Sequence, residues 1–174
     1  MSKQTTRRKQ VVVIGSSHSI KTELDIAYQV GKEIALRNFT LITGGRTGVM
    51  EAASKGAKEH GGLVIGILPS RYFEEANPYC DVIIPTGAGY MRNSINVLAA
   101  DMVISIGGAS GTLNELAFAW NYDKKIVALS NSGGWSAKLA GKAIDDRRTD
   151  IIIDAPDMAT VIRELDQLAI DTAE

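Results

Sequence analysis

The chain has 174 residues, 45% of them hydrophobic and 22% charged, which is the size and balance of one ordinary globular domain. Such a length supports a core without disulfides or a structural metal, and the composition excludes collagen-like, disordered and disulfide-stapled proteins. The net charge is −1, but Lys3, Arg7, Arg8 and Lys9 stand in the first ten residues with no acid among them, so the body is net negative and offers no basic stripe to nucleic acid.

In chain order, residues 1–9 read as a flexible basic tail and 10–174 as a single domain. Short apolar runs predict strands at Gln10–Ile14, Thr40–Thr43, Leu63–Leu68, Asp81–Ile84, Met102–Ile106, Ile126–Leu129 and Ile151–Ile153. They are nearly continuous in apolar residues rather than alternating, as in parallel strands covered on both faces. Helical spacing falls between them at Thr22–Arg37, Val49–His60, Tyr90–Ala100, Thr112–Asn121 and Ser136–Ala143. Pro156 suits a first turn for a last helix that presents Val161, Ile162, Leu165 and Leu168. Alternation of this kind predicts an α/β fold, a single Rossmann-like doubly wound parallel sheet of about six or seven strands with helices on both faces. Ligands of such sheets sit beyond the carboxyl ends of the strands, where the strand order reverses.

The loops that follow strands therefore carry the functional reading. Gly107-Gly-Ala-Ser-Gly-Thr112 opens a helix with small residues, so backbone N–H groups and the helix dipole can meet an anion. Its candidate ligand contacts are Gly107, Gly108, Ser110, Gly111 and Thr112. Glu115 reads two ways, as an active carboxylate or as half of a Thr112–Glu115 capping box. Gly44-Gly-Arg-Thr-Gly48 is a second such loop, giving Gly44, Gly45, Arg46 and Thr47, with a guanidinium fork suited to oxyanions. Gly15, Ser16 and Ser17 end the first strand at the expected switch point, and the adjacent His18 reads as a surface residue. Arg92 opens a helix, where a cation opposes the dipole unless an anion compensates it, and Asn96 follows one turn later.

Several motifs are missing. No Gly-x-Gly-x-x-Gly follows the first strand, and there is neither a Walker loop nor a Gly-x-Ser-x-Gly elbow. One cysteine, Cys80, and two histidines make no disulfide framework and no zinc set, so no protein-ligated metal is expected and Cys80 reads as a packed thiol. Phe118, Trp120 and Trp135 read as core or subunit contact. No apolar run reaches the roughly 20 residues of a membrane span, and no signal peptide opens the chain, so a cytoplasmic protein without membrane or nucleic-acid partners is expected.

Arg92 followed by Gly107–Glu115 resembles the cytokinin-activating phosphoribohydrolases, whose motif is Pro-Gly-Gly-x-Gly-Thr-x-x-Glu behind an Arg-Lys pair. Gly108, Gly111, Thr112, Glu115 and Arg92 match; Gly107, Ala109 and Asn93 stand where that motif has Pro, Gly and Lys. A fuller resemblance is to the molybdenum cofactor carrier proteins, a branch of the same superfamily. It rests on Leu41–Arg46, Gly48–Met50, Lys55–Lys58, Gly61-Gly62, Ile65–Pro69, Thr86-Gly87, Arg92 and Ile95-Asn96, and fades after about Leu129. The carrier resemblance implies a homo-oligomer, dimer or tetramer, that binds, protects and transfers molybdenum cofactor as cargo without catalysis. That cofactor is a phosphate-bearing anionic pterin dithiolene with an oxo-molybdenum group. Molybdenum enzymes or cofactor-synthesis proteins would be the partners. The hydrolase resemblance implies cleavage of the N-glycosidic bond of nucleoside 5′-monophosphates by Arg92 and Glu115. A nucleotide-sensing module would use the same small anionic ligand site without turnover.

Overall fold

The computed structural model describes residues 7–170. Seven strands run parallel in one sheet: β1 (Gln10–Gly15), β2 (Thr40–Thr43), β3 (Leu63–Leu68), β4 (Val82–Pro85), β5 (Met102–Ile106), β6 (Lys125–Leu129) and β7 (Ile153–Ala155), in the spatial order β4-β3-β2-β1-β5-β6-β7. The helices are α1 (Lys21–Leu36), α2 (Val49–Glu59), α3 (Arg92–Leu98), α4 (Ser110–Asn121), α5 (Gly134–Leu139) and α6 (Met158–Ile170).

Alternate residues of the strands point to opposite faces, and each face finds helices to bury it. Val11 and Val13 pack with Val30 and Ile34 of α1, Ala53 of α2 and Leu165 of α6. Val12 and Ile14 pack with Val97 of α3 and with Leu116 and Trp120 of α4. A fully buried Val, Ile or Leu stabilises the fold by about 1.5–3 kcal/mol, and the strands supply them from both sides. The continuous apolar runs are thus a consequence of two buried faces.

β1 lies between β2 and β5, with the chain winding outward from it in both directions. This is the switch point expected at Gly15–Ser17. The loops after β1, β2 and β5 consequently leave the same end of the sheet as neighbours.

Most boundaries differ from the sequence reading by a residue or two, and four of the differences have a visible cause or form. β7 starts at Ile153 rather than Ile151, because Ile152 N–H donates to Lys142 O and Ile152 O accepts from Gly141 N–H, leaving the ladder with β6 to begin at Ile153. α6 begins after Pro156, not at it: Asp157 Oδ1 accepts the Thr160 N–H at 2.9 Å and serves as the cap. The helix expected over Tyr90–Ala100 is entered through a 3₁₀ turn, Gly89–Met91. α5 ends at Leu139, where Ala140 turns to extended backbone. Within the stretch read as a basic tail, Arg7 forks onto Asp101 at 2.6 and 2.8 Å and Lys9 O accepts the Thr40 N–H. Lys3 lies outside the described residues.

Candidate functional site

The three loops enclose a cleft of about 490 Å³ at the carboxyl ends of β1 and β5. Its floor is charged and buried. Arg92, in the first turn of α3, is only 8% exposed, and Glu115, in the second turn of α4, only 7%. Asn96, fully buried one turn along α3, donates from Nδ2 to Glu115 Oε1 at 3.1 Å. Arg92 Nε and Asn96 Oδ1 are the two buried side-chain atoms among the described residues that lack a hydrogen-bond partner. Buried polar atoms are nearly always paired in native proteins, so the unpaired Arg92 Nε at the cleft and the unpaired Asn96 Oδ1 behind it set this helix apart.

Burial pulls the Arg92 guanidinium below its ordinary value; the Glu115 charge opposes that shift and the Arg46 charge adds to it. Burial also raises the Glu115 carboxyl to about 7, against the pull of Arg92 and the Asn96 hydrogen bond. The floor is therefore a desolvated cation beside a carboxyl that titrates near neutral pH.

The walls come from glycine loops. Ser16 Oγ donates to His18 O and accepts the His18 N–H, which closes the β1–α1 loop on itself. Val49 N–H donates to Ser16 O, and Thr47 Oγ1 donates to Ser17 O, stitching the β1–α1 and β2–α2 loops together. Arg46 stands exposed on the rim, its carbonyl held by Asn77 Nδ2 at 3.1 Å. On the far side α4 starts at Ser110, so the N–H groups of Ser110, Gly111 and Thr112 belong to its first turn, where no intrahelical acceptor exists. They are donors available to an anion.

Gly15, Ser16, Ser17 and Arg46 line the cleft on one side; Arg92, Ser110, Gly111, Thr112 and Glu115 line it on the other. Gly44, Gly45, Thr47, Asn96, Gly107 and Gly108 are not among the residues that line it. A Cβ on Gly44 would strike Arg92 Nη1 and Met50 Sδ, so Gly44 makes the guanidinium's seat. Gly108 packs against Thr112. The proposed capping box does not form: Ala109 is the cap residue, Thr112 is buried inside the first turn, and Glu115 turns to Asn96. Met50, Pro69, Tyr90 and Asn93 also line the cleft, as does His18, which is exposed there as expected of a surface loop residue. Pro69 could have been found from its place directly after β3; Asn93 was visible only as a replaced lysine. Burial pushes the Cys80 thiol up to about 11, away from the thiolate form that reacts.

Gly107 stands where the hydrolase motif has proline. Its φ is +57°, its N–H donates to Ser132 Oγ at 2.7 Å, and a Cβ would meet the Glu23 carboxylate. Proline is fixed near −65° and has no N–H. Gly107→Pro is expected to destabilise the fold by about 3 kcal/mol or more, from the forbidden φ and the lost N–H bond to Ser132 Oγ together. Urea unfolding checks it, and an unchanged midpoint would contradict this loop geometry.

The pattern of the SLOG cluster4 family matches residues 8–161. The solved structure of the molybdenum cofactor binding protein from Rippkaea orientalis is similar with a TM-score of 0.84 and 36% identity, over 94% of this chain and 99% of that one. That of the molybdenum cofactor carrier protein from Chlamydomonas reinhardtii follows with 0.81 and 33%, over 93% and 98%. The cytokinin riboside 5′-monophosphate phosphoribohydrolase of Mycobacterium marinum is 33% identical over 132 residues, 67% of this chain and 71% of its own length. None of the described helices is long and apolar enough to cross a membrane.

Proposed function

The chain belongs to the SLOG cluster4 family, and from that premise we propose that its cleft binds molybdenum cofactor as cargo, shelters it and passes it on without catalysis. The observation that carries this reading is the buried, incompletely paired Arg92 guanidinium on the cleft floor. A desolvated cation invites an anion of matching size. The free N–H groups at the start of α4 and the rim Arg46 add two further anion-binding elements on other walls. A guest with two anionic parts, a phosphate and an oxo-metal group, suits that distribution better than a singly charged one. The two structural neighbours named for binding or carrying this cofactor share over 90% of the chain, which supports the choice of cargo.

A second reading, hydrolysis of nucleoside 5′-monophosphates, is favoured by one observation. Glu115 stands beside Arg92 with a carboxyl poised near 7, a value suited to general acid–base work. Against it stand Gly107 at positive φ where the motif has proline, and Asn93, bonded to Asn114 Oδ1, where it has lysine.

Anaerobic gel filtration with molybdenum cofactor tests the proposal by counting molybdenum and pterin per chain. Retention near one per chain, with no adenine released from AMP, is the expected result. Loss of all cofactor on the column would overturn it, and adenine release that disappears in Glu115→Ala would establish the hydrolase instead. Gly44→Ala is expected to weaken retention about tenfold by displacing the guanidinium, the scale of one charge-assisted hydrogen bond. A retention equal to that of the unaltered protein would show that the Arg92 seat is unimportant.

The same proposal includes a homo-oligomer. Met91 at the entrance to α3, with Ile95 and Leu98 on it, exposes an apolar face beside the cleft rim, a surface of the kind that subunit contacts cover. Sedimentation is expected to give a dimer or tetramer.

A further inference from the structure

We propose that Ser132 and Ser136, which lie outside the cleft, are positioning residues for the anion loop after β5; this rests on the binding reading above. Both follow β6, Ser132 ending a 3₁₀ turn (Ser130–Ser132) and Ser136 inside α5, and both are buried. Their hydrogen bonds converge on one residue. Ser132 Oγ accepts the Gly107 N–H at 2.7 Å and donates its own proton to Leu129 O at 2.6 Å. Ser136 Oγ donates to Gly107 O at 2.8 Å, and the Ser136 N–H donates to the same oxygen at 3.0 Å. Because the single Ser136 proton is committed to Gly107, Ser105 must be the donor in the 2.6 Å contact between the two hydroxyls. The Trp135 N–H completes the grip by donating to Gly108 O at 3.1 Å.

The consequence is geometric. With its N–H and its carbonyl both drawn toward the β6–α5 segment, Gly107 is held at positive φ, and Gly108 follows at +97° with Thr112 packed on it. That pair of turns sets where α4 begins, and so where the N–H groups of Ser110, Gly111 and Thr112 stand against the cleft. Gly107's own polar groups are consumed inside the protein. The anion site after β5 is therefore built by two hydroxyls from 25 and 29 residues further along the chain, and neither touches the guest. Positioned donors bind an anion without the cost of ordering them at that moment.

Three alanine variants test this, with molybdenum cofactor as the probe and thermal melts alongside. Ser132→Ala and Ser136→Ala are each expected to weaken retention about tenfold, the worth of one displaced donor. Ser105→Ala also deletes a buried hydroxyl but leaves both bonds to Gly107, and is expected to bind within about twofold of the unaltered protein. Equal weakening in all three would reduce the serines to general packing and overturn the proposal; so would undiminished binding in Ser132→Ala and Ser136→Ala. If a variant does not fold, amide exchange in the unaltered protein decides. The Gly107 N–H should be protected before and after ligand is added, whereas those of Ser110–Thr112 should slow only with ligand. Free exchange at Gly107 would sink the proposal. If the unaltered protein retains no molybdenum cofactor, the binding reading has failed separately, and the variants are scored with AMP, or by the Gly107 amide when neither probe binds.

Discussion

Replacing Arg92 by methionine is expected to raise the melting temperature and to abolish ligand retention in the same variant. The unliganded protein holds this guanidinium at 8% exposure with Nε unpartnered, and burial weighs against its charged form. Taking a cation out of water costs several kcal/mol, and the nearby Glu115 recovers only part of that because it is itself half neutral near pH 7. Methionine keeps much of the length and fills the space with polarisable, uncharged atoms. Without Arg92 only the Asn96 hydrogen bond pulls the Glu115 carboxyl down, so it stays protonated at neutral pH and no buried charge is stranded; the fold should gain about 1–3 kcal/mol, and the melt should move up by roughly 2–4 °C for each of these in a chain this long. Binding should fall by about 100-fold or more, since a bidentate charge-assisted contact in a dry cleft is lost. Arg92→Lys keeps the charge but not the fork, so it should bind at an intermediate level without the gain in stability. A methionine variant that melts lower and still retains ligand would show that Arg92 is a structural residue.

The frame of the molecule was readable because it is written locally. Seven apolar runs became seven strands, and glycine-with-hydroxyl loops after β1, β2 and β5 turned out to be neighbours because the strand order reverses at β1. What stayed hidden is decided by residues far apart in the chain. Thr112-x-x-Glu115 satisfies a capping pattern as text, but α3 lies against α4 and brings Asn96 to the carboxyl, so the glutamate belongs to the cleft floor. Arg7 looks like part of a free basic arm until Asp101 is found facing it. Gly107 looks like a ligand contact, and only Ser132 and Ser136 reveal that its backbone is spoken for. Tyr90, Pro69 and Met50 reach the cleft from three other elements, and no spacing rule joins them. Local composition identified the loops; the division of labour among their residues required the packing.

Glu115 is expected to make both ligand binding and stability depend on pH, from one origin. Its carboxyl is raised from the ordinary 4.5 to about 7, burial being the largest cause, with Arg92 and Asn96 pulling the other way. A folded-state value above the unfolded one means that the native protein holds the proton more tightly. Stability from this group is therefore complete below about pH 4.5 and is lost as pH rises through about 7. At 1.36 kcal/mol per unit, the loss is roughly 3 kcal/mol between those limits. Urea unfolding at pH 5 and pH 8 should show it, and Glu115→Gln, which keeps the Asn96 contact but carries no charge, should flatten it and be the more stable protein at pH 8. For an anionic guest the sign is the same. Below 7 the floor presents Arg92 with a neutral neighbour; above 7 the carboxylate competes for the guanidinium and repels the guest, so affinity should fall by up to tenfold per pH unit. A phosphate on the ligand gains its second charge near pH 6 and pushes affinity upward with pH, opposite in sign to Glu115. The glutamine variant separates the two, because only the ligand's contribution survives in it. Identical pH profiles for the unaltered protein and Glu115→Gln would show that the carboxyl does not change charge between pH 5 and pH 8, and neither dependence could then be assigned to Glu115.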